Sequence, residues 1–357
     1  MVELENFEDL YTEIKNNVDS SDKNVSTIYA FNGTGKTRLS KKFNSLNNGE
    51  TDEIKVLCYN AFLEDLFSWD NENFILTLNA SWELKLIRDE GLGDEISKTF
   101  QRILNSKIEP EIELETGKIH FQIPTDGTGE NIKISKGEES MFIWSVFHTI
   151  LERIILILKD KKEDRSINIF DNLEYILIDD PVSSFDDNKI INLAMELIKV
   201  IKSDKEKNID FLITTHHALF FNIFFNKFKT KNKFKHYILS KNKTKFNLTV
   251  QGNDTPFNYH LLVKNEIQNA VDNETKLNKY HFNLFRGLME KTSNFLGIGY
   301  WGDCINKKNP DRDILIKTID SYSHCKFSDL EYENLTEDEK NMFKESFESF
   351  IKEYKFN

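Results

Sequence analysis

The stretch AFNGTGKT, residues 30–37, constrains this chain more than any other. It follows the apolar, β-branched run VSTIYA (25–30) and leads into TRLSKKFNSL, whose spacing predicts a helix. A strand that turns through two glycines straight into a helix is the setting of a phosphate-binding loop. The stretch fits its [A/G]xxxxGK[S/T] form with Ala30 in the first position. Gly33 and Gly35 let the backbone curl until its N–H groups face phosphate oxygens. The helix start adds its positive end. Asn32, Gly33, Thr34, Gly35, Lys36 and Thr37 are therefore the expected nucleotide contacts, with Lys36 on the β- and γ-phosphates and the Thr37 hydroxyl on Mg²⁺. Such a loop reads phosphates, so the choice between ATP and GTP is not written in it.

The rest of the chain fits a P-loop core. EYILIDD (174–180) and IDFLITTH (209–216) are short apolar strands, and NKIINLAMELIKVIK (188–202) between them is an amphipathic helix. ISKGEESMFIWSVFHTILERIILILK (134–159) reads as a polar turn feeding a long helix, and the stretch around ETGKIHFQIPTDGTG as a polar hairpin. Strands alternating with helices argue an α/β domain with a largely parallel sheet. From Asn265 onward the pattern is helical without strands, which places a boundary near residue 262 and divides the chain into 1–262 and 263–357. With 39% hydrophobic and 30% charged residues the chain can build a core, and no long apolar run predicts a membrane span. The acidic start MVELENFEDLYTEIKNN lacks the apolar segment of a secretory signal. The three scattered cysteines, Cys58, Cys304 and Cys325, read as reduced thiols in a cytoplasmic protein.

At the end of ILIDD, Asp179 is expected on Mg²⁺ through water, and Asp180 is expected to polarise the attacking water. ISKGEES resembles the signature motif of ABC-type ATPases, with Ser135 and Gly137 in the diagnostic places. PVSSFDD (181–187) resembles the D-loop, and His216 in LITTHH the switch histidine that contacts the γ-phosphate. Together these motifs imply an α/β ABC/SMC-type P-loop NTPase domain. Two subunits would pack head to tail with nucleotide between them, a homodimer or higher oligomer. No sustained heptads separate the P-loop from the signature, so the long coiled coil of a DNA-repair relative is not expected.

The C-terminal part carries FNLFRGLMEK, in which Arg286 and Glu290 share one helix face. Alone, such an i,i+4 pair is ordinary decoration worth ~0.3–0.5 kcal/mol. Over essentially its whole length, however, the chain resembles the PrrC-type anticodon nucleases, of which RloC is a larger cousin. The residues that carry the resemblance are IYAFNGTGKTRLS, YNAFLEDLFSWDN, SKGEESMFIWSVF, IDDPVSSFDDN, YHFNLFRGLMEKTSNFLG and SYSH. The resemblance implies an NTPase coupled to a smaller, mostly α-helical C-terminal nuclease domain that cuts a tRNA, a lysine tRNA by family expectation, in its anticodon loop. It places the nuclease residues on Arg286, Glu290 and His324. The chemistry suits them. Glu290 and His324 divide between them proton removal from the 2′-OH and protonation of the leaving oxygen, in an order left open, and Arg286 stabilises the phosphorane-like charge. The products would carry a 2′,3′-cyclic phosphate and a 5′-OH. The resemblance also implies silencing by a restriction–modification complex, release on phage infection, activation by GTP hydrolysis, and stabilisation of the active form by dTTP.

Gly252, Asn253 and Asp254 in GNDTPFNYH match the family's region for reading the tRNA anticodon. Val250-Gln251 departs from the prototype's Glu-Lys, and the stretch is shorter by two residues, which opens the identity of the tRNA. Net charge is −12, yet residues 211–253 contain no acid and eight lysines, leaving −20 for the remainder. Lys227, Lys229, Lys231, Lys233 and Lys235 alternate, as do Lys241, Lys243 and Lys245, and as strands each set would share one face. They are expected either to contact tRNA phosphates or to protect an edge strand. Two other functions stay open at this level: a RecF/SMC-like DNA-processing ATPase, and an NTPase sensor without nuclease activity.

Overall fold

A computed structural model of the chain describes residues 2–19, 25–47, 54–59, 66–124, 131–182, 185–204, 209–228, 234–242, 244–251, 259–273, 277–307, 309–323 and 335–355. The chain divides into two compact units, Met1–Thr255 and Pro256–Asn357. The division falls a few residues before the expected 262/263. The first helix of the second unit, Tyr259–Asp272, belongs wholly to that unit, where a cut at 262 would split it.

The first unit is built on a seven-stranded sheet. Its strands are β1 (Val2–Leu4), β2 (Val25–Ala30), β3 (Val56–Tyr59), β8 (Tyr175–Asp179), β9 (Asp210–Thr215), β10 (Phe234–Asn242) and β11 (Lys245–Val250), in the order β1-β11-β10-β2-β9-β8-β3. The five strands from β10 to β3 run parallel, and β11 and β1 extend the sheet antiparallel. All residues of β2 and of β8 are buried, as expected of parallel strands covered on both faces. Period-two alternation divides their side chains between two cores. Val25, Ile176, Ile178, Phe211 and Ile213 face one core, and Ile28, Ala30, Tyr175, Leu177 and Leu212 face the other.

Helices α1 (Phe7–Asp19) and α2 (Lys36–Asn44) cover the second of these faces. The first is covered by α5 (Lys136–Ile157), α6 (Asp187–Ser203) and α7 (Ala218–Lys227). α5 is the one helix among the described residues long and apolar enough to cross a membrane by composition, and it is a buried core helix here. A second, antiparallel sheet joins the same core, with strands β4 (Phe67–Asp70), β5 (Ile75–Leu78), β6 (Glu109–Glu113) and β7 (Lys118–Gln122) in the order β4-β5-β7-β6. It is accompanied by α3 (Trp82–Asp89) and α4 (Gly93–Leu104). Its β6–β7 hairpin is the one read from ETGKIHF. Gly117 in its turn has φ 71°, and a Cβ there would lie 2.3 Å from the Leu78 carbonyl oxygen.

The second unit is helical: α8 (Tyr259–Asp272), α9 (Lys279–Leu296), α10 (Arg312–Ser323) and α11 (Glu337–Tyr354). Asn278 caps α9 at its start, and Gly297, with φ 70°, ends it in the left-handed conformation. Phe285 sits edge-on to Phe343, Phe347 and Phe350 at 5.4–5.5 Å between ring centres, which joins α9 to α11.

Candidate functional site

Strand direction assembles the nucleotide site. β2, β8 and β9 run parallel, so their C-terminal ends share one rim of the sheet. That rim is where ligands bind in open α/β sheets. β2 delivers residues 31–35 and then α2, β8 delivers Asp179 and Asp180, and β9 delivers Thr214, Thr215 and His216. Gly33 (φ 78°) and Gly35 (φ 111°) take left-handed conformations that an L side chain would resist.

Lys36 is only 7% exposed. Its Nζ donates to the carbonyls of Ala30 (3.1 Å) and Phe31 (3.4 Å) and to Asn32 Oδ1 (3.1 Å), and lies 3.6 Å from Asp180. Burial pulls its ammonium below the ordinary lysine range, against the attraction of Asp180 and Asp179. Asp179 is 6% exposed and accepts from the hydroxyls of Thr214 (2.5 Å) and Thr37. Burial raises its pKa despite those bonds. Burial acts the same way on Asp180, but the bond to His216 Nδ1 at 2.5 Å and the charge of Lys36 reverse it, leaving a lowered pKa. Asp180 stands at φ 53°, a conformation that Asp tolerates better than most residues. Its Oδ1 also accepts from the His216 backbone at 3.3 Å.

This arrangement fits a nucleoside triphosphate with a divalent ion. The Thr37 hydroxyl and Asp179 adjoin, as two oxygen ligands should, and among the described residues the buried ammonium is compensated by carbonyls and acids that a phosphate can replace. Among the described residues no group of three or more His, Cys, Asp or Glu is placed to hold a metal. Ser135 caps α5 in a capping box with Glu138, and a Cβ on Gly137 would meet open space. None of the contacts around Lys36 involves these two residues. Ser183 and Ser184 of the D-loop stretch lie outside the described residues, and Asp186 caps α6 through the Lys189 N–H.

In the second unit Arg286 does pair with Glu290, from Nε to Oε1 at 2.8 Å. The sequence reading missed its other partners. Nη1 donates to Asp320 on α10 at 3.0 Å, and the guanidinium lies over the Trp301 ring, 5.3 Å from its centre. Asp320 stands four residues before His324 in TIDSYSH, a spacing that could have flagged it; nothing local marks Trp301. α10 is tied to α9 by Asn283 Nδ2 to the Tyr322 carbonyl (3.4 Å) and by Phe282 against the Tyr322 ring (5.3 Å). His324 and Cys325 lie outside the described residues, as do Gly252, Asn253 and Asp254.

Among the described residues, neither lysine set lies along a single strand. Lys227 ends α7, Lys235 lies in β10, and Lys241 and Lys245 belong to different strands. β10 is interior to the sheet, so edge protection does not apply to it. Lys235 donates to Asn17 (2.6 Å), and Lys245 to Glu3 and Glu5 (both 2.8 Å). Lys241 lies over Phe246. Lys229, Lys231, Lys233 and Lys243 lie outside the described residues.

No protein-family model matches the chain. Among solved structures it is similar to an SMC head domain from Thermotoga maritima, at TM-score 0.32 and 13% identity over 65% of this chain and 91% of that one. It is also similar to an SmcHead bound to the C-winged helix domain of ScpA, at TM-score 0.30 and 12% identity over 63% and 55%. These likenesses are too slight to add to what the sheet order and the P-loop show. Among curated proteins it is 40% identical over 309 residues to an anticodon nuclease of Escherichia coli, covering 79% of this chain and 77% of that protein. The first unit holds 255 of the 357 residues, so a match of that extent runs on into the helical unit. Forty per cent identity over 79% of this chain and 77% of that protein places the chain in the anticodon nuclease family.

Proposed function

We propose that this chain is an NTP-regulated anticodon nuclease. Its helical unit would cleave a tRNA in the anticodon loop, with a lysine tRNA as the family expectation, and its P-loop unit would control that cleavage. The observation that carries the reading is the 40% identity to an anticodon nuclease over 309 residues, 79% of this chain. In the reaction, one of Glu290 and His324 takes the proton from a ribose 2′-OH, whose oxygen attacks the adjacent phosphorus. The P–O5′ bond breaks and the other group protonates the departing oxygen. Arg286 stabilises the charge on the phosphorane-like transition state. The ends left are a 2′,3′-cyclic phosphate and a 5′-OH. The half-exposed Glu290 carboxylate, 44% accessible, and the less exposed guanidinium, 24%, support this reading, because substrate can reach both.

Nucleotide with Mg²⁺ would be held by Asn32–Thr37 and Asp179, supplying phosphate-charge neutralisation. Asp180 and His216 would attend its γ-phosphate, and Ser135 and Gly137 would face nucleotide bound by a second copy in a head-to-tail dimer. Gly252, Asn253 and Asp254 would contribute to reading the anticodon. Activation by GTP, stabilisation by dTTP, silencing by a restriction–modification complex and an anti-phage role in the cytoplasm complete the proposal. The test is incubation of purified protein with total bacterial tRNA, ATP or GTP, Mg²⁺ and optional dTTP, beside its His324→Ala variant. Anticodon-loop nicks with cyclic-phosphate ends, lost in the variant, are expected. Intact tRNA in every nucleotide condition, from protein that hydrolyses NTP, refutes the nuclease and leaves a DNA-processing ATPase or a non-nucleolytic sensor.

A further inference from the structure

We infer that Asp320 is a positioning residue of the nuclease, which together with Trp301 fixes the plane of the Arg286 guanidinium. The inference rests on the nuclease reading above. A lone exposed i,i+4 pair leaves an arginine free among several rotamers, and a transition-state contact needs one. Here the guanidinium is held from three directions: Nε by Glu290 (2.8 Å), Nη1 by Asp320 (3.0 Å), and its face by the buried Trp301 ring. Glu290 belongs to the same helix, but Asp320 comes from α10 and Trp301 from the turn Trp301–Cys304. That turn is itself tied down, with Cys304 Sγ at 3.6 Å from the Met289 carbonyl and Arg312 Nη2 at 2.9 Å from the Gly302 carbonyl. Among the described residues Nη2 of Arg286 has no partner, so both its hydrogens remain for phosphate oxygens.

Two carboxylates on one arginine weaken its attraction for phosphate and sharpen its direction. A site built for affinity alone would omit the second acid. Asp320, with 45% of its side chain accessible, is therefore expected to govern turnover more than binding. Asp320→Ala should lower kcat for tRNA cleavage about 10–100-fold, the scale of lost outer-shell support, with KM unchanged or lower. Asp320→Asn, which keeps an acceptor oxygen, should recover part of that loss and leave both limbs of the pH–rate profile in place, since Asp320 moves no proton.

The decisive experiment is single-turnover cleavage by the full chain in four forms: wild type, Asp320→Ala, Arg286→Ala and the double variant. If Asp320 acts through Arg286, Asp320→Ala has no further effect in the Arg286→Ala background. An equal loss in both backgrounds, a change confined to KM, or wild-type kcat in Asp320→Ala overturns the inference. Arginine side-chain NMR on the same proteins reads the positioning without any cleavage. The Nη–H signals of Arg286, identified by their absence in Arg286→Lys, should be resolved and slow to exchange in the wild type and averaged in Asp320→Ala. Should the wild type cut no tRNA, the nuclease reading fails by that result, and unchanged Nη–H signals separately defeat the positioning role.

Discussion

At the residue scale, the proposed hydrolytic role falls on Asp180. It sits at φ 53°, touches Lys36 and holds His216. Asn tolerates the left-handed region as Asp does, so Asp180→Asn preserves the backbone while removing the charge. NTP hydrolysis should fall by on the order of 10²–10⁴, the usual contribution of a positioned base, with nucleotide binding retained. Phosphate release and nucleotide affinity measured side by side check this. Arg286→Lys offers a contrasting case in the other unit. A lysine keeps the charge but loses the fork that engages Glu290 and Asp320 together. Cleavage should fall by about 10²–10³ while NTP hydrolysis stays at the wild-type rate, and a common loss of both would contradict the separation of the two sites.

At the element scale, the start of α9 is expected to lose stability in acid. His281 is buried, and its Nδ1 accepts the Asn278 N–H at 3.2 Å in a capping box. Burial depresses its pKa to about 4. Between about 6.5 and that value the unfolded chain binds more protons than the folded one, so stability falls as pH falls. The contribution is fully present above about pH 6.5 and is lost progressively on descent to about pH 4, up to ~3 kcal/mol. His236, buried on β10 and likewise held near 4, acts in the same direction in the first unit. His281→Gln keeps a capping side chain without the titration, so denaturant midpoints of the helical unit should depend less steeply on pH in that variant. The β6–β7 hairpin has a different weakness. Gly117→Ala must move the Leu78 carbonyl or break the turn, and a melting temperature within error of wild type would show that the turn can relax. The hairpin was legible because Gly and alternation coincide in ETGKIHF. The lysine alternation misled because period two without an apolar face does not specify a strand.

At the scale of the whole molecule, the chain divides into two compact units, and the proposal assigns each its own chemistry. A ligand that binds only the folded first unit stabilises that unit, by about 2.7 kcal/mol at a hundredfold excess over Kd. Calorimetry of the full chain with ATP or GTP and Mg²⁺ should therefore raise a transition that Lys36→Ala no longer raises. The transition that Phe285→Ala lowers should be the other one. That substitution removes the ring joining α9 to α11 and should cost the helical unit about 3–5 kcal/mol. If nucleotide shifts both transitions equally, the units unfold as one.

The P-loop, the apolar strands and the acids at their ends were determined by the sequence alone. Local geometry dictates them, since a glycine turn between strand and helix and an acid after an apolar run each follow from neighbours in the chain. The pair Arg286 and Glu290 was equally legible, because four residues are one helical turn. What completes that pair was decided only by tertiary structure. Asp320 lies 34 residues from Arg286 and Trp301 lies beyond the end of α9. They meet the guanidinium because the packing of α9, α10 and the Trp301 turn sets distances that no sequence spacing encodes.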